Sequence, residues 1–286
     1  MRKLSIFLIL LTFLSCATVP EKPYEVDESK IGKGFNLFSK KDEIEQGKGF
    51  AKEIEANLEL LNDPYAENYI SEIGETLVKN YRRQELVSGY EYRFKIVNSM
   101  DVNAFATMGG QVWINRGLIE KSDSEEEIAG VLAHEIGHIA GRHISHQISR
   151  QLLILGIVGL ASAVIKDEDL KSAVQIGGGA YLFFSTLKFS RDNEREADYL
   201  AIQLLYDSGY NPSGMKVFFQ KLLEMKKGGI ELPFLSTHPT TEERIMNIEY
   251  YISKLPPKSY KTPNRKNFQY VKRILSTYPL PKKKEK

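Results

Sequence analysis

The chain has 286 residues, 39 of them Lys or Arg and 37 Asp or Glu, for a net charge of +2. That balance lacks the basic excess of a nucleic-acid-binding protein, and a hydrophobic fraction of 42% is that of a globular chain. The single cysteine, Cys16, excludes intrachain disulfides and cysteine-built zinc sites.

Residues 1–15 read as a signal peptide. Arg2 and Lys3 precede an apolar run, Leu4 to Leu14. The run is too short for the roughly 20 residues of a membrane span but suits the apolar core of a secretory signal. The run ends at Ser15-Cys16, which resembles a bacterial lipobox, although Phe13 stands where Leu is usual. Cys16 is then the expected lipidation site; an ordinary secretory signal is the alternative. Ala17 rather than Asp after the cysteine resembles outer-membrane sorting. Residues 16–38, with several prolines and glycines, read as a lipid anchor and flexible tether.

A compact domain is expected over residues 39–255. Ile44, Phe50, Ile54, Leu58 and Leu61 recur at helical spacing within 42–62. A second helix should run from Pro64, in its first turn, to Tyr81. Residues 92–97 alternate as a strand. Gly109-Gly110 marks a turn, and 111–115 reads as a second strand. Ser124 followed by three glutamates starts a helix expected to reach about Arg150. The apolar stretches at 152–165 and 173–187 are too short to span a bilayer. A buried hairpin, a lid and a membrane-facing flap stay open for them. Helices follow over 193–208, 213–226 and 240–254. Pro256-Pro257 ends the compact part, leaving 256–286 as a C-terminal extension and basic tail.

The chemistry gathers at His134-Glu135-Ile136-Gly137-His138, an H-E-x-x-H. On a helix His134 and His138 lie about 40° apart, one turn removed, so both imidazoles reach one Zn²⁺. Glu135 reaches a water on that metal. A third histidine six residues after His138 would complete another zinc-site pattern, but that position is Ile144. Glu194 and Asp198 offer a carboxylate alternative. They share a helix face, with Glu194 able to complete the site and Asp198 to orient a ligand histidine. Ala197 allows close helix packing. Glu196 points elsewhere and should be solvated. His143 and His146 read as helix-surface or supporting residues.

HEIGH at 134–138 and EREAD at 194–198 are joined by two further motifs. Asn103-Ala104-Phe105-Ala106 precedes Gly109-Gly110 and the run from Val112 to Leu118, and His238-Pro239 precedes Arg244. Together they resemble metallopeptidase family 48, zinc gluzincins, over about residues 40–250. The resemblance implies a mainly helical α+β fold of zincin type, with a small sheet whose edge strand flanks the H-E-x-x-H helix. It implies one Zn²⁺ per chain on His134, His138 and Glu194, with Glu135 as catalytic base and Asp198 behind a ligand. It makes His238 either a switch at the fourth metal position or a transition-state aid; a core or capping histidine is the alternative. Arg244 becomes an oxyanion aid or a structural ion pair. Gln111, Val112, Trp113 and Ile114 become the edge strand that pairs with substrate backbone. Asn103 contacts substrate or stabilises a turn.

The implied activity is a zinc endopeptidase of the bacterial cell envelope acting on misfolded or unassembled proteins. The alternative is a chaperone-like outer-membrane assembly factor with latent or minor proteolysis. Partners are then envelope proteins or peptides, the membrane through a lipid on Cys16, and outer-membrane assembly machinery. No nucleic acid is expected, and the location is the periplasmic face of the outer membrane. The long spanning helices of the integral-membrane branch are not evident, so prenylated substrates are not expected. Nor is there room after Lys254 for a tetratricopeptide array.

Overall fold

The computed structural model describes residues 22–154, 179–239 and 241–281. Cys16, the expected signal peptide and residues 155–178 of the apolar region lie outside the described residues.

Helix α1 spans Lys40–Asn57 and starts in a capping box, in which Ser39 caps Asp42 and the Asp42 side chain returns to the Ser39 backbone. It stops before residue 62 because Leu60 leaves the helix to bridge Val97 of the sheet. Helix α2, Pro64–Asn80, starts at Asp63, whose carboxylate takes the N–H groups of Tyr65 and Ala66. It buries Ile70, Ile73 and Leu77. A short helix, α3, covers Gln84–Val87.

Strands β1 (Arg93–Val97), β2 (Ala104–Ala106) and β3 (Gln111–Asn115) form a mixed sheet in the order β1-β3-β2. β1 runs parallel to β3 and β2 antiparallel to it. The strand expected at 111–115 is therefore present but lies at the centre, not at the edge. Both of its ladders are filled, and all five residues are buried. This corrects the assignment of Gln111, Val112, Trp113 and Ile114 to substrate pairing, because their backbone groups already have partners. The edge position passes to β2, which packs on the H-E-x-x-H helix. Three residues buried on both faces carry no alternation, so β2 has no periodicity to read.

The remaining helices are α4 (Arg116–Lys121), α5 (Glu125–Ala140), α6 (His143–Ile154), α7 (Ala180–Ser185), α8 (Arg191–Ser208), α9 (Ser213–Lys227), α10 (Pro233–Thr237), α11 (Glu242–Ser253) and α12 (Arg265–Thr277). The mainly helical α+β architecture is as expected. α5 is the hub, in contact with α2, α8, α9 and β2. Its approach to α8 depends on Gly137, where an added Cβ would lie 2.7 Å from the Ala197 carbonyl oxygen. The helix expected from 124 to 150 is two helices. The chain breaks at Gly141-Arg142, and Arg142 takes a left-handed φ of 56°. Its guanidinium stays in place through Glu43 Oε1 at 2.9 Å and the Phe38 carbonyl at 2.6 Å.

Both ends of the described chain are part of the body. The segment from Lys22, read as a tether, is fastened along its length. Tyr24 donates to Asn247 Oδ1 at 2.8 Å, Leu37 N donates to Ser149 Oγ at 2.9 Å, and Asn36 Nδ2 donates to Ser145 Oγ at 2.8 Å. At the other end α12 buries Phe268, Val271 and Leu275 and packs on α2 and α4. The compact part thus continues past Pro256-Pro257. The described end of the 173–187 stretch is packed as well, with Phe184 against Phe50 at 5.0 Å and Tyr181 against Phe105 at 5.9 Å.

Candidate metal centre

Three elements bring four side chains to one point. α5 supplies His134 and His138, α8 supplies Glu194, and the residue capping α10 is His238. All four are buried, and one donor atom from each lies within 4.8 Å of the others. His134 Nε2 is 3.1 Å from His138 Nε2 and 3.2 Å from His238 Nδ1. Glu194 Oε1 is 3.0 Å from His238 Nδ1 and 3.4 Å from His138 Nε2, and Glu194 Oε2 is 3.5 Å from His134 Nε2.

These spacings fit a metal. Donors at the usual zinc distance of about 2.0–2.1 Å in a tetrahedron stand roughly 3.3–3.4 Å apart. Lone pairs of three imidazoles and a carboxylate aimed at one another need a cation or extra protons between them. Zinc meets that need with the ligand types it prefers.

The charges around the site hold the donors ready. Burial pushes Glu194 up, but Arg244 and His238 outweigh it and hold the carboxyl well below the usual range. Burial drives His138 well below its usual value, so it stands neutral with a free lone pair. Burial lowers His134 too, yet Asp198 and Glu194 reverse this and push it up to about 9 in the metal-free protein. Its Nδ1 faces Asp198 Oδ1 at 3.0 Å. Glu135 is buried, and burial raises its carboxyl despite the opposing pull of His238 and His134.

A model of Peptidase family M48 matches residues 64–252. The chain belongs to peptidase family M48. It is 30% identical over 221 residues to the Beta-barrel assembly-enhancing protease of Escherichia coli K12, covering 75% of this chain and 45% of that protein. Its likeness to the Yersinia pestis protein of the same name is 30% over 243 residues, 82% of this chain and 49% of the relative. The Mitochondrial metalloendopeptidase OMA1 of Schizosaccharomyces pombe is 29% identical over 209 residues, 68% of this chain and 60% of that one. The chain spans about half the length of the bacterial relatives.

Within this M48 domain several expected residues stand elsewhere than their expected roles require. Arg244 does not point free toward a reacting oxygen. It forks onto Asp198, Nε to Oδ2 at 2.7 Å and Nη2 to Oδ1 at 2.6 Å. Its Nη1 reaches Glu194 Oε2 at 2.6 Å and the Pro239 carbonyl at 3.2 Å. The structural ion pair is the reading this geometry matches. Gln111 is tied to the Glu91 carbonyl at 2.9 Å, and Trp113 stacks on Phe105 at 5.2 Å. Val112 and Ile114 are core. The Oδ1 of Asn103 is buried without a partner among the described residues, so no turn bond claims it. Glu196, 20% exposed, faces His143 Nε2 at 3.2 Å rather than open solvent, and His143 and His146 are buried, which removes the helix-surface reading of the two and leaves the supporting one.

Sequence reasoning missed three rings. Phe189 stacks on His138 with centroids 3.9 Å apart, Phe234 stacks on His238 at 4.8 Å, and Phe219 edges His134 at 5.9 Å. They line the donor cluster with apolar surface. Phe189 sits just before the α8 cap Ser190, and that adjacency was its only sequence signal.

Proposed function

We propose that the chain is a zinc metalloendopeptidase of the cell envelope, holding zinc on His134, His138 and Glu194. The convergence of one donor atom from each of four buried side chains within 4.8 Å carries this reading, alongside family membership. His134, His138 and Glu194 would hold the zinc, which would supply Lewis acidity toward a scissile carbonyl and an attacking water. Glu135, the residue after His134, would accept the attacking water's proton and deliver it to the leaving amine. Its burial suits it to holding a proton in transit. Asp198 orients His134, and Arg244 fixes both Asp198 and Glu194.

Substrate pairs, in this reading, with the outer edge of β2. No backbone hydrogen bond among the described residues occupies that edge at 104–106. The partnerless Asn103 Oδ1 beside it would accept a substrate N–H. Tyr181 of α7 packs on Phe105 there, so α7 must shift for a strand to enter.

His238 favours a second component, latency. Its Nδ1 takes the fourth corner of the donor cluster, and its Nε2 lies 3.6 Å from Glu135 Oε1. It stands where water should meet the base. A largely latent enzyme that also assists assembly of outer-membrane proteins, as the bacterial relatives' printed name suggests for them, accommodates this placement. No helix among the described residues is long and apolar enough to cross a membrane. Anchoring through a lipid on Cys16, on the periplasmic face of the outer membrane, completes the proposal.

Metal content and casein cleavage measured together test it. The wild-type chain should carry one zinc and cleave weakly, whereas Glu135→Gln should keep the zinc and abolish cleavage, in the wild-type and the His238→Ala background alike. A zinc-free wild type, or equal cleavage by both, refutes it. His238→Ala should raise cleavage if the histidine is a latch. Cys16→Ala should move the protein from the membrane to the soluble fraction.

A further inference from the structure

His138 needs a proton acceptor behind it. When its Nε2 serves a metal, its proton resides on Nδ1. That Nδ1 lies 3.0 Å from His143 Nδ1. His143 is 2% exposed, and its Nε2 lies 3.2 Å from Glu196 Oε1. Glu196 Oε1 also accepts the N–H of Gly32, at 3.4 Å, from the N-terminal segment.

The protons have one consistent arrangement. His138 Nδ1–H donates to the bare His143 Nδ1. His143 then carries its own proton on Nε2 and donates it to the Glu196 carboxylate. We propose that His143 and Glu196 are positioning residues that fix the tautomer and ring plane of the metal ligand His138. This rests on the zinc reading of the site.

The surroundings look built for this contact. Five residues along an unbroken helix lie about 140° around the axis, which would turn His143 away from His138. The left-handed Arg142 ends α5 and returns the chain so that the rings meet. Gly141 leaves room for the pair: an added Cβ would lie 2.4 Å from His143 Nε2 and 2.8 Å from Glu196 Oε1. Phe189 stacks on the His138 ring and restrains its rotation. The second ligand histidine thus has the support that Asp198 gives the first, lengthened by one imidazole.

The test is zinc affinity of the full mature chain by chelator competition, with the visible spectrum of the Co²⁺-loaded protein as a second readout. Outer partners of metal-bound histidines are worth roughly 10–100-fold in metal affinity. His143→Ala should weaken zinc by that factor and shift the Co²⁺ bands. His143→Asn, which keeps an acceptor oxygen near the Nδ1 position, should recover most of the loss. Glu196→Ala, at a partly exposed site, should weaken zinc several-fold, and Glu196→Gln less. The proposal is overturned if His143→Ala and Glu196→Ala bind zinc within twofold of wild type with unchanged Co²⁺ spectra. It is also overturned if His143→Asn is as poor as His143→Ala, because lost packing then explains both. A wild type that binds no zinc would instead sink the metal reading itself.

Discussion

His134 and His138 stand one turn apart on α5, yet they rest on unlike supports. Behind His134 lie Asp198 and Arg244, with side chains 0% and 5% exposed. Behind His138 lie His143 and Glu196, and beyond them the N-terminal segment and Arg142. There the side chains of Glu196 and Arg142 are 20% and 25% exposed. One support is a sealed ion cluster. The other runs outward to a surface strap. The sealed side cannot lose a partner cheaply, because no water replaces it, whereas the strap side can be rehydrated.

Arg244→Leu is the severest test of that contrast. It leaves Asp198 and Glu194 as two buried carboxylates with His134 but no arginine to balance them, at a cost of about 3–5 kcal/mol. Denaturant unfolding of the metal-free protein reads this directly. Zinc should restore part of the loss, since it supplies positive charge to Glu194. A loss below about 1 kcal/mol would mean that the cluster is wetter than its burial implies.

Gly137→Ala strikes both supports at once. Its methyl group meets the Ala197 carbonyl oxygen at 2.7 Å, so α5 and α8 must part. Overpacking of this kind costs about 1–3 kcal/mol. Zinc affinity should fall too, because the two helices carry His134, His138 and Glu194, the proposed ligands. Unchanged stability and affinity would show that the contact yields freely.

On the strap side, Glu43→Gln should be milder. Glu43 accepts from Tyr90 at 2.6 Å and holds Arg142 and Asn36. Glutamine keeps one acceptor oxygen, and the quarter-exposed Arg142 can turn to water. About 1 kcal/mol is expected from the lost charge-assisted bonds, again by denaturant unfolding. A cost equal to that of Arg244→Leu would erase the distinction between the two sides.

The same contrast explains what the sequence made legible. Glu194 and Asp198 are readable because four-residue spacing on an unbroken helix places them together whatever the rest of the chain does. So are His134, Glu135 and His138. The contact of His143 with His138 and Glu196 is not, although His143 could be read as a supporting residue, because the left-handed Arg142 breaks the helix between the two histidines. Spacing arithmetic assumes a continuous helix and turns His143 away. β3 was legible as a strand but not as a central one, since its place depends on β2, three residues without alternation. The described ends misled for another reason. Polar, proline-bearing segments resemble tethers, but Lys22–Ser39 and α12 find partners distant in sequence, such as Asn247 and Ser149 for the former.

The two sides should also part in their response to pH. Burial first, with His143 and Arg142 adding to it, pushes His146 down to about 4. It packs beside Gly34 of the strap. An unfolded histidine titrates near 6.5, so between pH 6.5 and about 4 the unfolded chain binds the extra proton. Stability from His146 is therefore full above 6.5 and is lost as pH falls through that window. His134 on the sealed side is raised to about 9 in the metal-free protein, after burial is outweighed by Asp198 and Glu194. Its contribution has the opposite sign: full below 6.5 and lost as pH rises through 9. Stability of the metal-free protein followed by urea unfolding across pH should show both arms. His146→Gln should flatten the acid arm and leave the alkaline one, and His134→Gln should do the reverse. If either variant flattened both arms, the two supports would be one coupled network rather than two.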